Sequence, residues 1–398
     1  MNLKPHFSRF LEAGPGPAGV WRSLPGSERL HFAAHSHHPW PDVSFGAHQQ
    51  AWLDAAAMMD DKWDHVFGEL IPTTRSQIAR VLGLADPSTM TFGPNTHSFL
   101  MRIFSCLDPP VRVLSTDAEF HSFNRQSRRW EEAGLAIVDR IPTEPFDTFP
   151  ERLTREARAG AHDLIYLSQV LFDSGLRLDG LDQIVSSVPE NRTFIVIDGY
   201  HAFMALPVSL GAIQDRVFFL AGGYKYAMSG EGACFLHSPA GYGPRPVDTG
   251  WYAGFGQLET GVGKEVTYGS DGSRFSGATF DPSGVYRMNA VLGWLETEGI
   301  TPVEIHRHVL DLQERFLAGA PDLGELLITD PDRRGNFLTF RSSTAADRYT
   351  ALHQRGVVTD YRGDRLRIGF GIYHDESDVD RLLEHVHEIG TARSRIRR

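Results

Sequence analysis

The sequence predicts an α/β protein: a large domain on a mostly parallel sheet covered by helices on both faces, and a smaller α/β domain. Two observations carry that prediction. Short apolar runs such as Phe194-Ile195-Val196-Ile197 and Val217-Phe218-Phe219-Leu220 alternate with stretches of helical spacing from Met90 onward, the pattern of strand–helix–strand units. The runs are apolar at every position, as strands covered on both faces must be.

In chain order, residues 1–43 are punctuated by proline and glycine and read as an arm that joins the smaller domain. The arm holds His35, His37 and His38 within four positions, but no carboxylate or cysteine follows at ligand spacing, so no metal is expected. The large domain, 44–284, opens with helical spacing from Ser44 to Leu84 through Trp52, Met58, Trp63, Phe67 and Ile78, a core or dimer surface. A strand, turn and helix follow from Met90 to Leu107. Gly93 and Pro94 make the turn, and Asn95, Thr96, His97 and Ser98 open the helix, whose free N–H groups suit a phosphate. Further strands end at Ser115-Thr116 and at Ser168-Gln169. The remainder, 285–398, alternates helices over 302–317, 345–355 and 376–389 with strands near Leu326, Phe337 and Arg367. The basic tail Arg393 to Arg398 is expected to be disordered.

Composition excludes several classes. A net charge of −11 over 398 residues argues against a nucleic-acid surface. The two cysteines, Cys106 and Cys234, sit in apolar settings and read as buried small residues. No run is long enough to span a bilayer and the start lacks a signal-peptide core, so a cytoplasmic protein without membrane partners is expected.

The chemistry concentrates between Thr193 and His237. One buried strand stops at Asp198, and another leads into Gly222-Gly223-Tyr224-Lys225-Tyr226, so a carboxylate and a lysine are presented at strand ends, where ligands bind in open α/β sheets. Lysine is rarely desolvated unless it is paired or used chemically. This pair is what pyridoxal phosphate needs: an amine for the Schiff base and an acid for the pyridinium nitrogen. On the smaller domain, Arg365 and Arg367 share one face of a strand, and arginine is suited to hold a substrate carboxylate.

The wording Asp198-Gly199-Tyr200-His201, followed by Tyr224-Lys225-Tyr226, resembles the class V aminotransferase group of fold-type I pyridoxal-phosphate enzymes, and within it kynureninase. That resemblance implies a large domain with a seven-stranded sheet and a homodimer whose sites take residues from both subunits. It implies catalytic roles for Lys225, Asp198 and Tyr224, with His201 near the ring oxygen. Tyr224, Asn95, Thr96 and Trp251 fall at the phosphate, and Ser168 faces the cofactor cleft. Phe120 is the expected ring-stacking residue, with His121 its substitute. Thr279 matches a threonine that reaches the partner's phosphate, although the glycine of its turn is shifted by one place. Arg367, after Gly356-Val357-Val358, matches the arginine that binds the substrate carboxylate. His35 and Ser36 stand where kynureninases carry an Asn-Ser pair.

The expected activity is pyridoxal-phosphate-dependent hydrolysis of the Cβ–Cγ bond of L-kynurenine or a related aryl-oxo amino acid. The products are L-alanine and an anthranilate-like acid. The alternative is another class V enzyme, an aminotransferase, epimerase or C–S lyase, on a different amino acid. A cysteine desulfurase needs a nucleophilic cysteine in the C-terminal part, and none follows Cys234. A pyridoxal-phosphate-binding protein with a dead site is disfavoured by the intact Asp198, His201, Lys225 and Arg367 set.

Overall fold

The structure, a computed structural model, describes residues 2–13, 29–189, 193–260 and 265–396. Residues 14–28 of the expected arm lie outside this description, as do Arg397 and Arg398 of the tail. The described strands are β1 (Leu30–His31), β2 (Met90–Gly93), β3 (Val111–Thr116), β4 (Ala136–Ile141), β5 (Leu164–Ser168), β6 (Phe194–Asp198), β7 (Phe218–Gly222), β8 (Cys234–His237), β9 (Glu325–Leu326), β10 (Phe337–Arg341), β11 (Val357–Val358), β12 (Asp360–Arg362) and β13 (Arg365–Gly369).

The large sheet has seven strands in the order β2-β8-β7-β6-β5-β3-β4. Only β8 runs against its neighbours, so the sheet is mostly parallel, as the apolar runs require. The register sets Ser168 beside Asp198 at the carboxyl ends of β5 and β6. Asn95 accepts from the Ser98 amide at 2.9 Å and so caps the helix Thr96–Phe104 just after β2.

Apolar residues on the two sheet faces feed different cores. One packs Ile165, Ile197 and Phe219 against the helices Ile71–Leu82 and Ser283–Thr297. The other packs Tyr166, Val196 and Phe218 against Phe99, Phe123 and Trp130 of the helices Thr96–Phe104 and His121–Glu132. A third core unites the antiparallel sheet β12-β13-β10-β9 with the helices Pro302–Ala318 and Glu376–Ile396. The first of these helices opens with a capping box between Thr301 and Glu304. The arm adds Leu30 and Phe32 to this third core, and β1 lies parallel to β11.

Two expectations need correcting in detail. The last helix continues to Ile396, into the stretch expected to be disordered; Val379, Leu382, Val386 and Ile389 anchor it in the third core, and its basic end prolongs that helix. The expected boundary before residue 285 falls inside the helix Ser283–Thr297, whose Val285, Met288 and Val291 belong to the first core.

Gly199 follows Asp198 with its α-carbon over the Phe219 ring, where an added Cβ would sit 2.0 Å from a ring atom. Gly199→Ala is therefore expected to cost about 1–3 kcal/mol through overpacking, read as a fall in melting temperature. An unchanged transition would contradict this packing.

Candidate active site

The carboxyl ends of β2, β3, β5, β6 and β7 converge on one cavity of about 210 Å³, lined among others by Asn95, Thr96, Phe120, Ser168, Asp198, His201, Tyr224 and Lys225. These eight come from five separate stretches of sequence. The parallel sheet gathers them because every βα crossover returns the chain to the same end.

Lys225 is 5 % exposed, and its Nζ lies 2.9 Å from His201 Nε2. The rings of Tyr200, Phe120 and Tyr224 surround the amine at 5.0, 5.2 and 5.6 Å. Burial, helped by the positive charge of Arg367, brings Lys225 down to about 7, against the pull of Asp198. The same loss of solvent, with Lys225 and Arg367 nearby, holds His201 well below its ordinary range, so its imidazole is neutral. Asp198 accepts from the Tyr166 hydroxyl at 2.8 Å and the Tyr200 amide at 3.0 Å. Its carboxyl is raised by desolvation even though those bonds and Lys225 favour the anion.

Arg287 fixes the backbone beyond the lysine, donating to the carbonyls of Ser229 and Glu231 at 2.7 and 2.6 Å. Gly230 takes φ +71° there, and a Cβ would strike the Trp40 ring.

The smaller sheet closes the other side. Arg367 on β13 is 3 % exposed; its guanidinium donates to the Phe172 carbonyl and the Asp360 carboxylate, while its Nε has no partner. Arg365 on the same face pairs with Asp173 and Glu144, so Asp173, in the segment after β5, ties the two sheets together. His35 is fully buried and stacks on Phe337 at 4.7 Å. Neither of its ring nitrogens has a hydrogen-bond partner, and burial with Arg367 and His201 nearby keeps it neutral. His201 and Arg367 also approach the Phe337 ring, at 5.8 and 6.0 Å.

Several expected residues lie elsewhere. Ser36 bonds its neighbour His37 at 3.3 Å and lines a different cavity. Trp251 and Thr279 bond each other at 3.1 Å on the exposed surface, outside the Lys225 cavity of this chain. Of the two stacking candidates, Phe120 lines the cavity and His121 is exposed. Sequence reasoning missed Tyr166 and Phe337, which sit inside strands, and gave no role to Glu119 or Asp360.

This donor set fits pyridoxal phosphate: a buried amine of lowered basicity, a hydrogen-bonded carboxyl on the next strand end, aromatic faces, and a capped helix N-terminus. The fold is that of fold-type I pyridoxal-phosphate enzymes, and the cavity lies at the strand ends of its large sheet. Comparison with known proteins narrows this. The kynureninase C-terminal domain family matches residues 311–386. A probable cysteine desulfurase of Vibrio cholerae serotype O1 is 22 % identical over 333 residues, 79 % of this chain and 81 % of that protein. Among solved structures, the cystine C-S lyase C-DES in complex with its product cysteine persulfide is similar with a TM-score of 0.76 at 16 % identity, over 90 % of this chain and 97 % of that one. The apo cysteine desulfurase of Thermococcus onnurineus NA1 gives 0.76 at 15 % identity, over 92 % and 95 %. The matched family segment lies in the smaller domain, and the solved structures share the fold of the whole chain.

A lysine whose folded pKa lies below its unfolded one destabilises the fold at low pH, and stability recovers as pH rises from about 7 toward 10.5. Lys225→Met is expected to be more stable than the wild type at pH 7 by an amount on the order of a few kcal/mol, with the gap closing toward about pH 10. Equal denaturation midpoints at both pH values would contradict a strained, desolvated amine.

Proposed function

We propose that this protein is a pyridoxal-phosphate-dependent hydrolase of kynureninase type. It cleaves the Cβ–Cγ bond of L-kynurenine or a related aryl-oxo amino acid to L-alanine and an anthranilate-like acid, as a cytoplasmic homodimer. The observation that carries the reading is the buried Lys225 amine, brought down to about 7 and lying 2.9 Å from His201, in a cavity walled by Asp198 with Arg367 behind it. Arg367 lies in the segment that matches the kynureninase C-terminal domain family.

Pyridoxal phosphate, when bound, supplies an electron sink for the pair left on the substrate's α-carbon. Lys225 would hold the cofactor's aldehyde carbon, Asp198 would pair with its ring nitrogen, and Asn95, Thr96 and Tyr224 would hold its phosphate. Phe120 offers the ring a flat face. Arg367 takes the substrate carboxylate with its unpartnered Nε, and His35 adds a neutral donor beside it. As a free amine, Lys225 would take the α-proton at Nζ, which its lowered basicity suits near neutral pH. Water would then add to the γ-carbonyl and the Cβ–Cγ bond break; the water's oxygen stays with the acid, one of its hydrogens goes to Cβ, and Lys225 returns the α-proton to give alanine.

In the dimer, Trp251 and Thr279 serve the partner's phosphate. Support comes from the exposed apolar side chains of Phe45, Trp52, Leu53 and Trp251.

A C–S lyase is the second reading, favoured by the similarity to cystine C-S lyase and needing the same Lys225, Asp198 and Arg367. A desulfurase fits less well. Cys234 is buried 3.5 Å from the Tyr200 hydroxyl, its thiol is pushed up to about 11, and no cysteine follows it in the sequence.

The test is to load the purified protein with pyridoxal phosphate and offer L-kynurenine, 3-hydroxykynurenine, cystine and a panel of other L-amino acids. Release of fluorescent anthranilate is expected; persulfide or sulfide from cystine would favour the second reading, and a dependence on an oxo acid would favour transamination. Arg367→Lys is expected to lower kcat/KM by roughly tenfold to a hundredfold, since lysine cannot reproduce the fork, with unaltered cofactor uptake. Sedimentation should give a dimer, and a monomer with full activity would remove Trp251 and Thr279 from the site.

A further inference from the structure

Glu119 stands just beyond the wall of the cavity and has no part in the mechanism above. Its side chain is fully buried. Neutral donors meet it: the Thr116 hydroxyl reaches Oε1 at 2.8 Å, the Ser168 amide reaches Oε1 at 3.2 Å, and the Ser168 hydroxyl lies 2.5 Å from Oε2. The titratable groups that face it are Asp198 from β6 and Tyr166 from β5, with Lys225 coupled to Asp198 across the cavity. No cation forms an ion pair with it among the described residues. Ser168 lines the cavity, so whatever its hydroxyl does toward Glu119 fixes what it offers to an occupant.

We propose that Glu119 is a positioning residue that sets the polarity of Ser168. While Glu119 holds a proton, it donates to Ser168 Oγ, and the serine hydrogen is free for an anionic oxygen of the molecule in the cavity. When that proton leaves to solvent, the serine hydrogen turns to the carboxylate, and Ser168 offers only a lone pair. No bond to carbon changes; one proton is exchanged with water and one hydroxyl rotates. The switch falls in the neutral range because burial, with Asp198 adding to it, pushes Glu119 up to about 7, against the bonds from Ser168 and Thr116. The proposal rests on the cavity being a pyridoxal-phosphate site.

Glu119→Gln keeps the shape and gives Ser168 a permanent N–H donor, while Ser168→Ala removes the responding group. The affinity of each apoprotein for pyridoxal phosphate is measured between about pH 5.5 and 8.5, by the absorbance of the bound cofactor. The wild type is expected to lose roughly tenfold in affinity relative to Glu119→Gln across pH 7, the worth of one hydrogen bond to a charged group. Ser168→Ala should follow Glu119→Gln in lacking that step. Melting of the apoproteins gives a second readout. A buried acid whose folded pKa exceeds its unfolded one is harmless below about 4.5 and costs stability up to about 7. The wild-type melting temperature should therefore fall relative to Glu119→Gln over that range. Normal uptake with the same pH dependence in wild type and Glu119→Gln overturns the proposal alone. A wild type that takes up no pyridoxal phosphate at any pH overturns the reading of the cavity and this proposal with it.

Discussion

The structure around this site depends on the withdrawal of one amine from water. Lys225 sits at the end of a strand buried on both faces, ringed by Tyr200, Phe120 and Tyr224, with a neutral imidazole as its hydrogen-bond partner. An ammonium in such a place loses hydration that no full ion pair restores, and the nearest acid, Asp198, spends its lone pairs on Tyr166 and the Tyr200 amide. Arg367 adds repulsion from the far side. The outcome is a nucleophilic amine near neutral pH, which a solvated lysine on the same turn would not be.

That balance requires the smaller domain. Arg367 is held against Phe172, behind the cavity wall, because β13 pairs with both β10 and β12, and because Arg365, two residues earlier on the same face, is anchored to Asp173 and Glu144. Phe172 joins the two halves: its ring lines the Lys225 cavity while its carbonyl accepts from Arg367. Asp360 orients the guanidinium from behind, and so the arginine is buried and aimed without a substrate. An arginine left to swing in solvent would lose more rotamer freedom on binding a carboxylate.

Much of this was legible in the sequence, and the reason is geometric. Where an apolar run stops at a polar residue, as at Asp198 and Ser168, the end of a buried strand is marked, and parallel topology puts all such ends together. Glycines around Lys225 signalled a tight turn. What stayed hidden depends on register or on tertiary approach. Tyr166 looks like one more apolar strand residue until the pairing of β5 with β6 turns its hydroxyl to Asp198. Phe337, around which His35, His201 and Arg367 gather, belongs to a different sheet. Ser36 was placed at the substrate by position in the chain, yet in the turn after β1 its hydroxyl goes to His37 while His35 points inward.

The similar solved structures share the fold at 15 to 17 % identity, which constrains the sheet and leaves the reaction open. The physical discriminator is the group that faces the substrate's far end. A thiol that must attack sulfur needs solvent access and a lowered pKa, and Cys234 has neither, being part of β8 against Tyr200. The far side instead presents His35 with two unsatisfied nitrogens and Arg367 with one, all buried against an aromatic ring. Buried polar atoms without partners cost stability unless a ligand completes them. A polar molecule with a carboxylate is the kind of partner that would satisfy that set, a requirement that the substrates of both proposed readings meet.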